Sequence, residues 1–197
     1  YSAIICGYSM LGGIVGKSEG NSLVEYCSNE CEVIGLTPDA HAVGGIVGHG
    51  SNIFQSNNIG LVLGAQQVGG IVGTTSPGYV DESCNLGIVL AEDVAGGIVG
   101  YFDGYLIDSC YNSGIVMGYL DRNNYHGVGG IVGIVRDIAE GQNKYIVNSY
   151  NDGLINGHGL YSGGLVGRGV ASHFDFFLYN CYNVGFSSSA GAVGSLS

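Results

Sequence analysis

The chain is poor in proline, in positive charge and in long apolar runs. Of its 197 residues only 2 are Pro and 5 are Lys or Arg, and Trp is absent. No apolar run is long enough to cross a bilayer as a helix. The shortage of cations argues against binding to nucleic acid or to anionic membranes, because both attract Lys and Arg. The 16 acidic residues give a net charge of −11, and we interpret them as solubilising loop residues.

Glycine, in contrast, is abundant. The 38 Gly residues follow no collagen-like triplet, and 46% of the chain is hydrophobic, which is too much for a disordered protein. A chain of this length is predicted to form a single domain covering residues 1–197. Because Tyr1 and Ser197 both lie inside a repeat, we expect the chain to be an excerpt of a longer protein.

A five-residue motif, GGIVG, recurs along the chain. Two or three aliphatic residues between glycines are too few for a helix and favour a short buried strand with a sharp bend at each end, where Gly supplies positive φ. Such a piece cannot bury itself alone, so the copies are expected to stack. The copies begin at Gly12, Gly44, Gly69, Gly96 and Gly129, with GGLVG at Gly163 and a diverged AGAVG at Ala190.

A second motif, Asn-x-Gly, lies between the GGIVG copies and aligns the repeats in columns. Its asparagines are Asn29, Asn58, Asn85, Asn112, Asn151 and Asn183. Five residues earlier stands an aliphatic column of Val24, Ile53, Val80, Ile107, Ile146 and Leu178. Two residues earlier stands a small column of Cys27, Ser56, Ser83, Cys110, Ser149 and Cys181. Four residues later stands a second aliphatic column of Val33, Val62, Val89, Val116 and Ile155, which fails at Ser187.

These columns predict an all-β fold, a parallel β-solenoid of about six to seven coils with three short strands each. Stacking at about 4.8 Å would give a rod on the order of 30 Å long. A right-handed coil is expected from the bias of parallel crossover connections. Propeller blades, leucine-rich repeats and helical solenoids fit the spacing and the glycine content less well.

The same residues resemble a known family, the GLUG-motif repeat proteins. The resemblance rests on GGIVG or GGLVG followed by DSCYNSGIVMG at 108–118, NSYNDG at 148–153 and NCYNVG at 180–185. The first repeat departs from it at Cys31, and the last departs at 186–189. The resemblance implies a bacterial secreted or cell-surface protein, similar to the repeat regions of adhesins and to regions beside some IgA-protease-like metallopeptidases. It carries over no catalytic residue.

The six cysteines are interpreted mainly as free, buried thiols. Three of them alternate with Ser in the small column, which indicates a need for a small inward side chain rather than a bridge. Column members several coils apart also exceed the reach of a disulfide. Cys27 and Cys31 are the one sequence-local pair, and whether they are bridged stays open. The cysteines are Cys6, Cys27, Cys31, Cys84, Cys110 and Cys181.

No residue pattern indicates catalysis, a cofactor or a metal centre. The histidines fall in variable segments and form no HExxH motif. The acidic pairs Asp81-Glu82 and Glu92-Asp93 are read as solvated, with weak calcium binding as the alternative, although no EF-hand loop is present. The histidines are His41, His49, His126, His158 and His173.

Asparagine and tyrosine are given structural roles first. The Asn column suits left-handed turns, bonds to the local backbone and an Asn ladder between coils. Tyr111, Tyr150 and Tyr182 follow the small column directly, so strand alternation turns them outward. We expect a surface stack that clamps neighbouring coils, with a platform for glycan or protein as the alternative.

Strand alternation in GGIVG makes one further prediction. The two aliphatic residues are adjacent, so a regular strand would point one of them out of the solenoid. An external apolar stripe would result, covered by loops, by another domain or by a second copy. It would be drawn either from Ile14, Ile46, Ile71, Ile98, Ile131 and Leu165 or from their Val neighbours.

The sequence therefore predicts a non-enzymatic segment of a bacterial secreted or surface protein, acting as an adhesin, a stalk or a scaffold for glycan or protein. The binding role is assigned to the loops 36–43, 119–128 and 134–145. The expected partners are a host or matrix glycan or protein, or the chain itself through an apolar stripe or the solenoid ends. The alternatives are an accessory region of a metallopeptidase, a filament-forming subunit and a glycan-cleaving β-helix.

Overall fold

The computed structural model describes residues 3–119, 126–136, 142–157, 161–170, 174–187 and 193–196. Every regular element in these ranges is a β-strand, and none of the described residues forms a helix capable of spanning a membrane. The strands repeat in groups of five, and each group makes one coil.

The first coil contains β1 (Ile4–Gly7), β2 (Leu11–Gly12), β3 (Val15–Lys17), β4 (Leu23–Glu25) and β5 (Ser28–Asn29). The second contains β6 (Glu32–Gly35), β7 (His41–Gly44), β8 (Val47–Gly50), β9 (Asn52–Phe54) and β10 (Asn57–Asn58). The third contains β11 (Leu61–Gly64), β12 (Gln66–Gly69), β13 (Val72–Thr75), β14 (Tyr79–Asp81) and β15 (Cys84–Asn85).

The fourth coil contains β16 (Ile88–Ala91), β17 (Val94–Gly96), β18 (Val99–Phe102), β19 (Leu106–Asp108) and β20 (Tyr111–Asn112). The fifth contains β21 (Ile115–Gly118), β22 (Gly127–Gly129), β23 (Val132–Arg136), β24 (Lys144–Val147) and β25 (Tyr150–Asn151). The sixth contains β26 (Leu154–Asn156), β27 (Ser162–Gly163), β28 (Val166–Val170), β29 (Phe176–Tyr179) and β30 (Tyr182–Asn183), and β31 (Val193–Leu196) follows it.

Corresponding strands of successive coils pair in parallel and form five sheets. Sheet one is β1-β6-β11-β16-β21-β26, and sheet two is β2-β7-β12-β17-β22-β27. Sheet three is β3-β8-β13-β18-β23-β28-β31, sheet four is β4-β9-β14-β19-β24-β29, and sheet five is β5-β10-β15-β20-β25-β30. The predicted parallel β-solenoid is confirmed, but each coil has five strands rather than three.

The aliphatic columns found in the sequence are columns in space. Ile53 pairs with Val24 on one side and with Val80 on the other, and the register continues through Ile107 and Ile146 to Leu178. The second column pairs in the same way from Val33 to Ile155, where it meets Ser187. Both columns point into the solenoid, so equivalent residues of successive repeats pack on one another.

The GGIVG motif is a corner between two sheets and not one strand. In the third coil β12 ends at Gly69, the chain bends at Gly70 and Ile71, and β13 starts at Val72. Because the bend interrupts strand alternation, Ile71 and Val72 both point into one core and both are fully buried. The same holds for the pairs that begin at Ile46, Ile98, Ile131 and Leu165.

The external apolar stripe predicted from GGIVG is therefore wrong. In the copies from the second to the sixth coil, no member of either proposed column faces outward in the described structure. Ile14, in the first coil, is half-exposed, and its neighbour Val15 is partly buried against the main core. The chain therefore cannot self-associate through an external stripe of GGIVG residues.

The three glycines of the motif are required by close backbone contacts. A Cβ on Gly69 would lie 2.0 Å from the Val72 carbonyl oxygen of the same coil. A Cβ on Gly70 would lie 2.1 Å from the Gly97 oxygen of the next coil. A Cβ on Gly73 would lie 2.4 Å from the backbone at Ala42 and Val43 in the preceding coil. Gly20 is the one described glycine with a left-handed φ, so the expected role of Gly in supplying positive φ is wrong for these copies.

Left-handed backbone occurs instead in non-glycine residues, three positions before each column asparagine. These residues are Tyr26, Gln55, Glu82, Ser109, Asn148 and Asn180, with φ between 42° and 54°. The column asparagines themselves have ordinary φ values, so the prediction that they adopt left-handed turns is wrong. Five residue types among the six occupants of this left-handed corner indicate that side-chain identity matters little there.

The column asparagines form the predicted ladder. The Nδ2 of Asn58 donates to the Oδ1 of Asn85 at 2.9 Å, and Asn85 donates in turn to Asn112 at 2.7 Å. Each of these side chains also donates to the carbonyl oxygen two residues later in its own coil. The ladder extends from Asn29 to Asn183 with the same donor direction throughout.

This ladder divides the interior into two hydrophobic cores. Asn58 reaches across the coil from sheet five to Gly45, at the corner between sheets two and three. One core lies between sheets one and two and contains Val33, Val62 and Val68. The larger core lies against sheets three and four and contains Ile71, Val80 and Phe102.

Candidate binding surfaces

The tyrosines predicted to face outward form a stack on sheet five. The ring centroids of Tyr111 and Tyr150 are 5.1 Å apart with an angle of 4° between the rings. Those of Tyr150 and Tyr182 are 5.0 Å apart with an angle of 1°. The predicted clamp between coils is confirmed, because each ring packs on the ring of the neighbouring coil.

The stack ends differently on its two sides. Tyr111 pairs with Cys84 in the register of sheet five. The hydrogen bond between these two side chains, together with burial, raises the pKa of Tyr111 to about 12. Tyr182, at the other end, is 53% exposed. Tyr182 is therefore the member of the stack that has ring surface to offer to a ligand.

More aromatic side chains lie beside this end of the stack. On sheet four Tyr145 stacks on Phe177 with centroids 5.1 Å apart, and Phe177 lies 5.8 Å from Tyr179. Tyr179 is also exposed. We call Phe177, Tyr179 and Tyr182 the aromatic patch. It lies on β29 and β30 of the sixth coil.

A cleft of about 280 Å³ lies between sheets two and three. Its floor is apolar, with Val94, Tyr101 and Ile134 forming a small buried cluster. Its polar lining consists of Gln66, Gln67, Asp93 and Arg136. The Thr74 hydroxyl donates to the Gln67 side-chain oxygen at 2.9 Å and fixes that amide. Such a mixture suits a small polar ligand, and the lining includes no Ser, Cys or His nucleophile or base.

The three loops predicted to bind are only partly described. In 36–43, Leu36 is exposed, Ala40 is buried, and β7 takes over from His41. Within 119–128, residues 120–125 lie outside the described residues, and within 134–145, residues 137–141 do. The described parts of these two segments belong largely to β22, β23 and β24. The prediction that the loops bind a partner stays a prediction.

The histidines are scattered and take structural contacts where they are described. The His49 ring nitrogen Nε2 lies 2.7 Å from the Ser76 hydroxyl, and burial, followed by Lys17, lowers the pKa of His49. His126 stacks on Tyr161 with centroids 5.1 Å apart. His158 and His173 lie outside the described residues. The contact between His49 and Ser76 joins the second and third coils.

The acidic pairs are solvated only in part: Glu82 is exposed as predicted, but Asp81 and Asp93 are not. Asp81 ends β14 and is half-buried, and Asp93 is almost fully buried beside the cleft. Partial burial, followed by the neighbouring Asp108 carboxylate, raises the pKa of Asp81. Among the residues described, no three His, Cys, Asp or Glu side chains come together as a metal site.

All six cysteines are free thiols, and Cys27 and Cys31 are not bridged. Only Cys110 is fully buried; Cys6 is exposed and the other four are half-buried, so the prediction of buried thiols is correct for one of them. Burial raises the pKa of Cys110 and of Cys181. In the small column, the Ser56 amide donates to the Ser83 hydroxyl at 3.1 Å, so these side chains also link coils.

A buried lysine was missed at the sequence level. The Lys144 ammonium donates to the carbonyl oxygens of Asp103 and Gly104 at 3.1 Å and lies 3.4 Å from the Asp103 carboxylate. It also lies 5.3 Å from the centre of the Phe174 ring. The sequence did contain a signal for this burial: Lys144 lies two residues before Ile146 on one strand, so alternation turns both side chains into the solenoid. The contacts tie the fifth coil to the fourth and leave the lysine inaccessible to a substrate.

Comparison of the chain with protein-family models, with curated proteins and with solved structures found no match. The resemblance to GLUG-motif repeats therefore stays a prediction.

Proposed function

We propose that the chain is a non-catalytic rod segment that displays a glycan-binding surface, as in an adhesin or a stalk of a bacterial secreted or cell-surface protein. The observation that supports this is the aromatic patch. Tyr179 and Tyr182 are each 53% exposed, although large aromatic side chains are usually buried.

The chemistry of the patch suits a carbohydrate. The exposed ring of Tyr182 offers an apolar surface to the C–H groups of a sugar, and its hydroxyl offers a hydrogen bond. Stacking on Tyr150 holds the Tyr182 ring in place, so little side-chain freedom is lost on binding. The surrounding coils supply a stiff support, because each coil is paired with its neighbours in all five sheets.

A glycan-array screen with the purified chain tests this proposal. We expect binding to a subset of glycans, weakened about tenfold by Tyr182→Ser, because the apolar contact and the hydroxyl position are both lost. Tyr8→Ser is the matched control, since Tyr8 is also exposed but lies in the first coil. Absence of glycan binding, or equal loss in both variants, would contradict the proposal.

A further inference from the structure

The outer face of sheet one is apolar over four coils. In β11 the side chains of Leu61 and Leu63 point outward, because Val62 between them is buried in the smaller core. The parallel pairing of the strands of sheet one extends both outward rows through the neighbouring coils. We call this surface the sheet-one face; its rows are Leu61, Ile88, Ile115 and Leu154, and Ile34, Leu63, Leu90 and Met117.

This face is in contact with solvent and continuous with further apolar surface. Ile88 is 41% exposed and Leu154 is 38% exposed. Ile59 and Leu86, at the turn between sheets five and one, are exposed beside it. At its other edge a depression of about 240 Å³ is lined by Leu36, Leu63 and Tyr119 among others. The depression has room for a large side chain from a partner.

Charge is distributed unevenly around the face. Glu32 precedes Leu61 in the same outward row. Glu30 and Asp152 are exposed directly after a column asparagine, the position that Ile59 and Leu86 occupy in other coils. The four described cations lie on sheets three and four, at Lys17, Arg136, Lys144 and Arg168. The sheet-one face is thus an aliphatic surface bordered by acids, without a described cation.

We propose that the sheet-one face docks another protein whose contact surface is a β-strand or sheet with a row of aliphatic side chains flanked by Lys or Arg. Flat aliphatic sheet faces pack against one another about 10 Å apart, with interdigitated side chains. The acidic border selects a cationic partner and disfavours a second copy of this chain, whose net charge is also −11. The proposal does not depend on glycan binding at the aromatic patch.

The test uses the whole chain and a synthetic strand peptide of alternating Leu and Lys, labelled with a fluorophore. Fluorescence anisotropy measures its binding to the chain, and a Leu–Glu peptide of equal length is the charge control. We expect the Leu–Lys peptide to bind and the Leu–Glu peptide to fail, because the acidic border repels it.

Two Leu→Thr variants of the fourth coil form a matched pair. Leu90 belongs to the sheet-one face, whereas Leu106 is an outward residue of sheet four. Thr is β-branched and favours strands, so both variants are expected to fold. We expect Leu90→Thr to weaken peptide binding about fivefold and Leu106→Thr to leave it unchanged.

Glu32→Gln should reduce the dependence of the affinity on salt. Circular dichroism and thermal unfolding verify folding.

Several outcomes would overturn the proposal. One is absence of binding to the Leu–Lys peptide, and another is equal weakening by Leu90→Thr and Leu106→Thr, which would place binding elsewhere. Concentration-dependent dimers in sedimentation that Leu90→Thr abolishes would assign the face to a second copy. Binding to zwitterionic phosphatidylcholine vesicles that Leu90→Thr abolishes would assign it to a membrane.

Discussion

At the scale of single residues, glycine is required here for close approach rather than for unusual dihedral angles. The motif glycines have no room for a Cβ, whereas the left-handed corners are occupied by residues such as Tyr26 and Gln55. A left-handed non-glycine residue costs on the order of 1 kcal/mol, which stacking between coils has to offset. Overlap of a Cβ with backbone in a neighbouring coil costs more, because backbone cannot rotate away.

The substitution Gly70→Ala tests this distinction. Its Cβ would lie 2.1 Å from the Gly97 oxygen and 2.5 Å from the Asn85 side chain. We expect a loss of at least about 3 kcal/mol in the free energy of unfolding, measured by urea denaturation. Gly20→Ala is the control, since Gly20 has a left-handed φ but nothing within 4 Å of a Cβ. Its cost should stay near about 1 kcal/mol. Equal losses of unfolding free energy in the two variants would contradict the assigned role of close approach.

The carboxyl group of Asp81 makes stability depend on pH. Partial burial and the Asp108 carboxylate raise the pKa of Asp81 above its ordinary 3.8 in the folded protein. The folded state therefore binds this proton more tightly than the unfolded chain does. The stabilising contribution is present below pH 3.8 and is lost as the pH rises through the folded pKa.

Asp81→Asn should accordingly raise the melting temperature at pH 7 relative to the parent chain, and the gain should shrink toward pH 3.8. Thermal unfolding followed by circular dichroism at several pH values measures this. Glu25→Gln, an exposed carboxyl at the equivalent position of the first coil, serves as the surface control. A gain that is constant with pH would contradict the assigned cause.

At the scale of strands and turns, the sequence predicted the columns correctly because alignment of the repeats alone defines them. Val24 to Leu178 stack as expected, and so do the asparagines and Tyr111, Tyr150 and Tyr182. The number of strands per coil was wrong for two reasons. GGIVG was interpreted as one strand although the chain bends at Gly70, and the short strand at each column asparagine, such as β15, was interpreted as a turn. Periodicity describes straight segments and does not indicate where a corner falls.

The same limit explains which surfaces were missed. The outward rows of sheet one were visible in the sequence as Leu61 and Leu63 around Val62, but a repeat alignment does not report exposure. The contact of Lys144 with Asp103 and Gly104 joins residues about 40 positions apart. Such a contact depends on the path of the chain between two coils, which composition and spacing do not specify. That the solenoid coils in a right-handed sense stays a prediction.

The asparagine ladder should behave as one cooperative element. Asn85→Ala removes the acceptor of Asn58 and the donor to Asn112 in a buried position. We expect a loss of about 2–4 kcal/mol in the free energy of unfolding, because buried polar groups on both sides lose a partner. Ser113→Ala, at an exposed turn residue one coil on, is the control and should cost less than about 0.5 kcal/mol. Comparable losses from both changes would exclude a special role for the ladder.

At the scale of the whole molecule, stability is expected to increase from the ends of the rod toward its middle. Each coil contacts mainly its two neighbours, so terminal coils have fewer partners than central ones. Exposure follows the same trend: Val24 of the first coil and Leu178 of the sixth are less buried than Ile53, Val80 and Ile107.

Hydrogen exchange followed by mass spectrometry measures this gradient. We expect the slowest exchange in the third and fourth coils, from β11 to β20, and faster exchange in β1–β5 and β26–β30. Addition of the ligand of the aromatic patch should slow exchange in β29 and β30 selectively. Uniform protection over all coils would indicate a single cooperative unit and would contradict the nearest-neighbour description.

The asparagine ladder also gives the rod a polarity. Every rung donates from the lower-numbered residue to the higher-numbered one, from Asn29 through to Asn183, so the amide dipoles add along the axis. The two ends consequently differ in hydrogen-bonding character as well as in sequence. Copies joined end to end by continuing this pattern must meet head to tail. Such a junction repeats without closing, so its natural product is an open fibre rather than a symmetric pair.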